Sequence, residues 1–218
     1  MKLLDLFCGA GGCSKGYARA GFDVTGVDLR PQPRYPFKFL QADVFDLGLD
    51  FLRQYNVIHA SPPCQAYTVL SHYCNGELED LVPPVRGLLQ RAGRPYIIEN
   101  VPGSPLRNPV MLCGTMFPGL RVLRHRLFET NFLVLAPEHE PHRVRCHHYN
   151  KRLASYGKTD QWKDFLTVTG TGGYSMAAGQ DAMGIDWMKR HELTQAVPPP
   201  YTEFVGRYAV NATIEEAA

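Results

Sequence analysis

Cys64 stands directly after two prolines, in Ser61-Pro62-Pro63-Cys64-Gln65. Proline fixes its own φ and restricts the residue before it, so this loop is stiff enough to aim a thiol. Most cysteines are inert small hydrophobes, but one held on a rigid platform at the end of a strand is a candidate nucleophile. Glu99 and Asn100 close an apolar run that starts at Tyr96. A carboxyl at the end of such a run is part-buried and biased towards its protonated form, which can donate a hydrogen bond. Taken singly, Glu99 reads equally well as a structural partner for an arginine. Together, Cys64 and Glu99 favour chemistry over structure.

The run Cys8-Gly9-Ala10-Gly11-Gly12 permits a tight turn in which backbone can approach a ligand closely. A dinucleotide fingerprint would place its third glycine at position 14, where Ser14 stands, so a pyrophosphate is disfavoured and a nucleoside cofactor stays open. Asp28, 17 residues beyond Gly11, is placed to accept hydrogen bonds from ribose hydroxyls. Asp43 could accept from an exocyclic amine. Either aspartate could instead cap a turn or helix. With the glycines they outline an adenosine-shaped ligand.

These residues need a scaffold that brings their loops to one place. A buried strand is expected at Leu3 to Phe7, a second strand at Val24 to Asp28, and short strands at Phe39 to Gln41, Val57 to Ala60 and Tyr96 to Asn100. Helices are expected through Tyr17 and Ala18 up to Gly21, near Phe51, and from Val85 to Gln90. Such alternation implies an α/β fold with a doubly wound, mostly parallel sheet, whose ligands sit beyond the carboxyl ends of the strands. Every candidate above lies at such an end.

The chain has 218 residues, enough for one α/β domain with a small insert, and its 44% hydrophobic and 20% charged content excludes disorder, fibre and coiled coil. The net charge of +2 gives no bulk attraction to nucleic acid. No apolar stretch reaches the length of a signal peptide core or a membrane span, so a cytoplasmic protein without membrane partners is expected, and a monomer. Six cysteines without a repeated C-x-x-C spacing suggest free thiols.

From about Arg121 to Asp181 the apolar alternation weakens, His and Arg accumulate, and the Gly-rich turn Gly170-Thr171-Gly172-Gly173 appears. We therefore divide the chain into a catalytic and cofactor-binding part (1–130), a small inserted recognition subdomain (131–184) and a C-terminal return (185–218). Between Arg121 and Arg152 seven Lys and Arg face Glu129, Glu138 and Glu140, a local excess of four positive charges suited to duplex phosphates. His139, His142, Cys146, His147 and His148 have spacings compatible with a metal, but no C-x-x-C accompanies them, and contacts to phosphates and bases are the simpler expectation, with no metal. The tail from Asn211 is expected to fray.

Several motifs, in this order, resemble the cytosine-C5 DNA methyltransferases, which use S-adenosylmethionine. Asp5-Leu6-Phe7-Cys8-Gly9-Ala10-Gly11-Gly12 is similar to that family's cofactor loop and Pro62-Pro63-Cys64-Gln65 to its nucleophile motif. Glu99-Asn100-Val101 resembles its glutamate motif, and Arg124-His125-Arg126 its basic motif. The resemblance implies a Rossmann-like methyltransferase fold. It implies Cys64, Glu99, Arg124 and Arg126 as catalytic residues, and Phe7, Gly9, Ala10, Gly11, Gly12, Asp28, Leu29, Asp43, Val44 and Pro62 as the lining of the S-adenosylmethionine site. It also implies double-stranded DNA as partner, with the target cytosine flipped out beneath a closing loop at 65–75. The same chemistry on tRNA, or a catalytically idle DNA-binding protein, are the alternatives; a restriction–modification role and a solitary one are both open. Tyr201-Thr202-Glu203-Phe204-Val205-Gly206-Arg207 resembles the family's closing motif but has Arg207 where Asn is usual, and Arg207 could pair with a carboxylate of the cofactor or of a carboxylated analogue.

Overall fold

The computed structural model describes residues 1–67, 78–139, 142, 146–147, 165–169 and 174–215. Seven strands form one sheet in the order β3-β2-β1-β4-β5-β7-β6. They are β1 Lys2–Leu6, β2 Asp23–Asp28, β3 Lys38–Gln41, β4 Val57–Ala60, β5 Tyr96–Asn100, β6 Val110–Leu112 and β7 Arg126–Thr130. Strand β7 runs antiparallel to β5 and β6, and the other pairings are parallel. The chain therefore has the α/β fold expected of it, with a mostly parallel sheet.

Period-two alternation explains the layering. Leu3, Val57 and Ile97 point to one face, while Leu4, Ile58 and Ile98, each one residue on, point to the other. The first face is covered by α1 Gly12–Arg19 and α6 Pro199–Glu215, through Tyr17, Tyr201 and Val205. The second is covered by α2 Leu49–Leu52 and α3 Val82–Ala92, through Leu52, Val85 and Leu89. Helix α1 meets α6 so closely that a Cβ on Gly16 would lie 2.0 Å from Thr202 Oγ1 and 2.1 Å from the Pro199 carbonyl oxygen. Helix α3 opens with prolines in its first turn and stops at Gly93, whose φ is +66°.

Three expectations need correction. Phe7 does not extend β1: its φ of +58° is left-handed, because the chain must turn at once into the glycine loop. The tail does not fray from Asn211, since α6 runs on to Glu215 and Thr213 Oγ1 donates to the Ala209 carbonyl. Among the described residues the local positive charge is either paired or buried. Arg121 pairs with Asp181, Arg126 pairs with Glu99, and the buried Arg124 donates to carbonyls. Counting charge along the chain does not register such burial. Arg143, Arg145, Lys151 and Arg152 lie outside the described residues, as do His148 and the turn at 170–173.

Within the expected insert, β8 Cys146–His147 and β9 Phe165–Leu166 pair in parallel. Leu166 N donates to the Arg121 carbonyl at 2.7 Å, and Leu123 N to the Leu166 carbonyl at 3.0 Å. Helix α4 Met176–Met183 and helix α5 Arg190–Gln195 follow. Val122, Val168, Met183, Ile185 and Leu193 form a third apolar cluster that includes Ala10 of the glycine loop. The end of the stretch 131–184 thus packs against the glycine loop.

Candidate active site

The glycine loop is wired to the end of β2. Gly9 N donates to Asp28 Oδ2 at 2.9 Å, and Arg30 N to Asp28 Oδ1 at 3.0 Å. An ionised carboxylate has about four acceptor sites, so two remain for a ligand's hydroxyls. Phe7, Gly9 and Gly11 all have positive φ, at 58°, 49° and 88°. A Cβ on Gly9 would meet nothing within 4 Å, so open space lies over that backbone. The opposite side of the loop is closed: Trp187 Nε1 donates to the Ala10 carbonyl at 2.8 Å, and a Cβ on Gly12 would approach the Val197 carbonyl oxygen to 2.6 Å. Arg34 clamps Glu192 with two bonds of 2.8 and 2.6 Å, joining the loop after β2 to α5.

Asp43 caps a short 3₁₀ turn at Val44–Asp46, accepting from Phe45 N at 2.9 Å. The capping alternative is therefore realised for one of its oxygens. Leu29 and Phe45 are 64% and 43% exposed. Two apolar side chains left in water at adjoining strand ends suit the faces of a flat heterocycle. Phe7 is half-buried against the core on the α3 side, while Val44 and Pro62 are buried. Sequence reasoning missed Phe45, Trp187 and Arg34; for Phe45 the signal available was an aromatic two residues after Asp43.

The loop that carries Cys64 is held by the strand beside it. Asn100 Nδ2 donates to the Pro62 carbonyl at 2.9 Å, and its Oδ1 accepts from Val101 N at 2.8 Å. Asn100 is buried, so both ends of its amide are spent on fixing backbone. Cys64 is half-buried, and its carbonyl accepts from Tyr67 N at 3.0 Å. The 65–75 loop falls mostly outside the described residues.

Glu99 is buried, with Oε1 3.0 Å from Arg126 Nε. The two are close but off-axis for a hydrogen bond, so the contact is an ion pair and Oε1 keeps accepting capacity. Burial pushes the Glu99 carboxyl up, against the pull of Arg126, the Ser61 hydroxyl and Arg124. Arg124 Nη1 and Nη2 donate to the carbonyls of Val168 and Thr194 at 2.8 and 2.6 Å. Burial and the repulsion of Arg126 lower its pKa to about 9, and the charges of Glu99 and Cys64 oppose that shift.

Behind Glu99 runs a buried polar chain. Ser61 Oγ lies 2.8 Å from His59 Nε2, and His59 Nδ1 lies 2.7 Å from Tyr17 Oη. Burial lowers the His59 pKa to about 3, so the ring is neutral and its 3.8 Å separation from Asp5 is no ion pair. Asp5 accepts from Ser14 and is itself pushed up to about 7 by burial. Arg207 bonds Glu203 at 2.7 Å on the exposed side of α6.

Known proteins share this framework. The chain matches, at 97% of its length and 98% of the other's, a methyltransferase of Entamoeba histolytica, with a TM-score of 0.61 and 14% identity. It matches at 99% of both lengths a candidate DNA modification methyltransferase encoded within an Escherichia coli prophage, with a TM-score of 0.67 and 15% identity. The fold is a methyltransferase fold. In sequence, 122 residues are 28% identical to the type II methyltransferase M.AgeI of Thalassovita gelatinovora, covering 47% of this chain and 28% of that relative. No family model matches. Among the described residues no helix is long and apolar enough to cross a membrane.

Proposed function

We propose that this chain methylates C5 of cytosine in DNA, with S-adenosylmethionine as methyl donor. The observation that carries this reading is the joint fixation of Cys64 and Glu99: Asn100, the residue after Glu99, holds the loop that bears Cys64. Cytosine C5 is a poor nucleophile until the ring's conjugation is broken. The Cys64 thiolate adds to C6, and the electron pair displaced from the C5–C6 bond moves into the ring towards N3. Glu99, held towards its protonated form by burial, donates at the N3/N4 edge and stabilises that charge, leaving an enamine nucleophilic at C5. Arg126 orients Glu99 through their 3.0 Å contact and, with Arg124, is assigned to the O2 side of the base. Loss of the C5 proton to water then allows elimination, which expels Cys64 as the thiolate while the N3 proton returns to Glu99.

The glycine loop and its partners suit the donor. Asp28 offers spare acceptor sites for ribose hydroxyls, Gly9 leaves backbone open to approach, and Leu29 and Phe45 offer apolar faces for adenine. When bound there, the donor supplies an electrophilic methyl group on a sulfonium sulfur. The target base leaves the duplex stack to reach this site, since C5 and C6 are inaccessible within it.

The test is adduct formation on a 5-fluorocytosine duplex in the presence of S-adenosylmethionine, with tRNA in a parallel arm. A denaturation-resistant complex with the duplex, lost in Cys64→Ser while cofactor binding persists, is expected. Turnover by Cys64→Ser refutes the mechanism, and methylation of tRNA alone refutes the substrate.

A further inference from the structure

Four side chains outside the proposed catalytic group converge on one point beside the sheet. Cys113 follows β6, His125 precedes β7, and His139 and His142 lie in the segment that leaves β7. Their ligating atoms all lie within 4.8 Å of one another. Cys113 Sγ is 3.3 Å from His142 Nε2, His139 Nε2 is 3.0 Å from His142 Nε2, and His125 Nε2 is 3.3 Å from His139 Nε2. The rings of His125 and His142 stack at 4.9 Å with 10° between their planes, and His139 stands edge-on to both.

Hydrogen bonding alone serves this arrangement poorly. Each N–H···N contact needs one protonated and one bare nitrogen, so His139 Nε2, which faces two other Nε2 atoms, can satisfy only part of the set. A cation at the centre serves all four, because every group can then present a lone pair. Bond lengths of about 2.0–2.1 Å to nitrogen and 2.3 Å to sulfur put tetrahedral ligands about 3.3–3.6 Å apart. The three contacts above fall at or just below that spacing, and the widest pair must close by about an ångström.

We propose that Cys113, His125, His139 and His142 bind one Zn2+ ion in a closed, four-coordinate site of one thiolate and three imidazoles. Imidazole and thiolate ligands select a borderline-soft divalent ion over magnesium or calcium, and four protein ligands leave no open position for substrate, so the role is structural. Binding displaces the Cys113 thiol proton to solvent, and nothing is oxidised or reduced. Side chains alternate along extended backbone, so a ligand at His125 anchors the segment on the side opposite Arg124 and Arg126. The same ion joins His142, the last residue before 143–145, to the loop after β6. It staples the start of the inserted stretch to the sheet edge nearest the proposed site.

Sequence spacing joins His139 and His142 to Cys146, His147 and His148. The fold instead supplies Cys113 and His125, 26 and 14 residues upstream of His139. The two assignments are separable, and neither depends on the proposed reaction.

The test is metal content and Co2+ substitution on the full-length reduced protein. Stripped protein should take up one equivalent of Zn2+ per chain. The Co2+ form should show the intense visible d–d bands of a tetrahedral centre and a thiolate-to-cobalt charge-transfer band. Cys113→Ser should abolish that charge-transfer band, and His139→Ala or His142→Ala should weaken Zn2+ retention against a chelator at least 10-fold. Cys146→Ser should retain both stoichiometry and spectrum. If the wild-type protein takes up no more than a trace of Zn2+, or its Co2+ form lacks the charge-transfer band, the site does not exist, whatever the folding of the variants. A charge-transfer band lost in Cys146→Ser instead of Cys113→Ser equally overturns the assignment.

Discussion

Asn100 offers the sharpest separation of positioning from chemistry, because it sits behind the nucleophile loop and contacts no atom proposed to react. Asn100→Ala deletes the 2.9 Å bond to the Pro62 carbonyl and the 2.8 Å bond from Val101 N. Two neutral hydrogen bonds are worth about 1 kcal/mol each, and a buried carbonyl left unpaired adds about 1–3 kcal/mol. Pro62 is buried, so water cannot freely replace the amide, and a total loss of roughly 3–5 kcal/mol is expected. The chemical effect is larger than a stability change would suggest. Release of the Pro62 carbonyl frees the loop two residues before Cys64, and a displacement of about 1 Å at a reacting atom costs on the order of 100-fold. Asn100→Asp keeps the acceptor for Val101 N but turns a carboxylate towards the Pro62 carbonyl, so it should do no better than alanine. Rates of adduct formation on 5-fluorocytosine duplex, measured at saturating cofactor below the melting temperature of each variant, give the answer. If Asn100→Ala forms adduct within threefold of the wild-type rate while melting earlier, the loop is aimed by something else and the positioning argument fails.

Glu99→Gln keeps the size and a hydrogen-bond donor but cannot pass a proton, so methyl transfer should fall by about 100- to 10,000-fold, read by labelled-cofactor incorporation; near-normal turnover would remove Glu99 from the acid role. Arg86 meets Glu129 through two bonds of 2.7 Å, both side chains being buried, so Arg86→Met should leave an uncompensated carboxylate and cost about 3–5 kcal/mol by denaturant unfolding. Adding Glu129→Leu should recover most of that loss. Asp5 has a folded pKa of about 7 against an ordinary 3.8, raised by burial. The sign follows from proton binding: between those values the native state holds a proton that the unfolded chain has released, so stability is greatest below about pH 4 and falls as pH rises towards 7. A shift of three pKa units corresponds to roughly 4 kcal/mol. Asp5→Asn should flatten this fall and melt above the wild type at pH 8, and parallel melting curves across that range would contradict it.

Much of the fold was legible because its central strands β1, β4 and β5 are buried on both faces. Leucine, isoleucine and valine runs mark β1, β4 and β5 whatever surrounds them, and the prolines and glycines that end them mark the loops where ligands belong. The candidate site was legible for the same reason, since its residues sit immediately after those strands. What stayed hidden depends on contacts distant in the chain. Trp187 reaches the Ala10 carbonyl across 177 residues, and nothing local distinguishes it from any surface tryptophan. Arg124 and Arg126 read as a basic surface because burial leaves no trace in a charge count. Asn100 reads as one letter of a motif until its amide is seen spanning to Pro62.

The grouping of Cys113 with His125, His139 and His142 shows the same limit in its strongest form. Spacing within one segment favours His147 and His148 as partners, being near in sequence. The sheet brings together residues far apart in the chain, because β6 and β7 are antiparallel neighbours with Leu112 opposite Arg126. That register places Cys113, one residue after Leu112, opposite His125, one residue before Arg126. Two of the four ligands are therefore fixed by strand pairing, before either histidine of the following segment arrives. A site whose first half is set by sheet register requires of the 131–142 segment only that it return to the same edge.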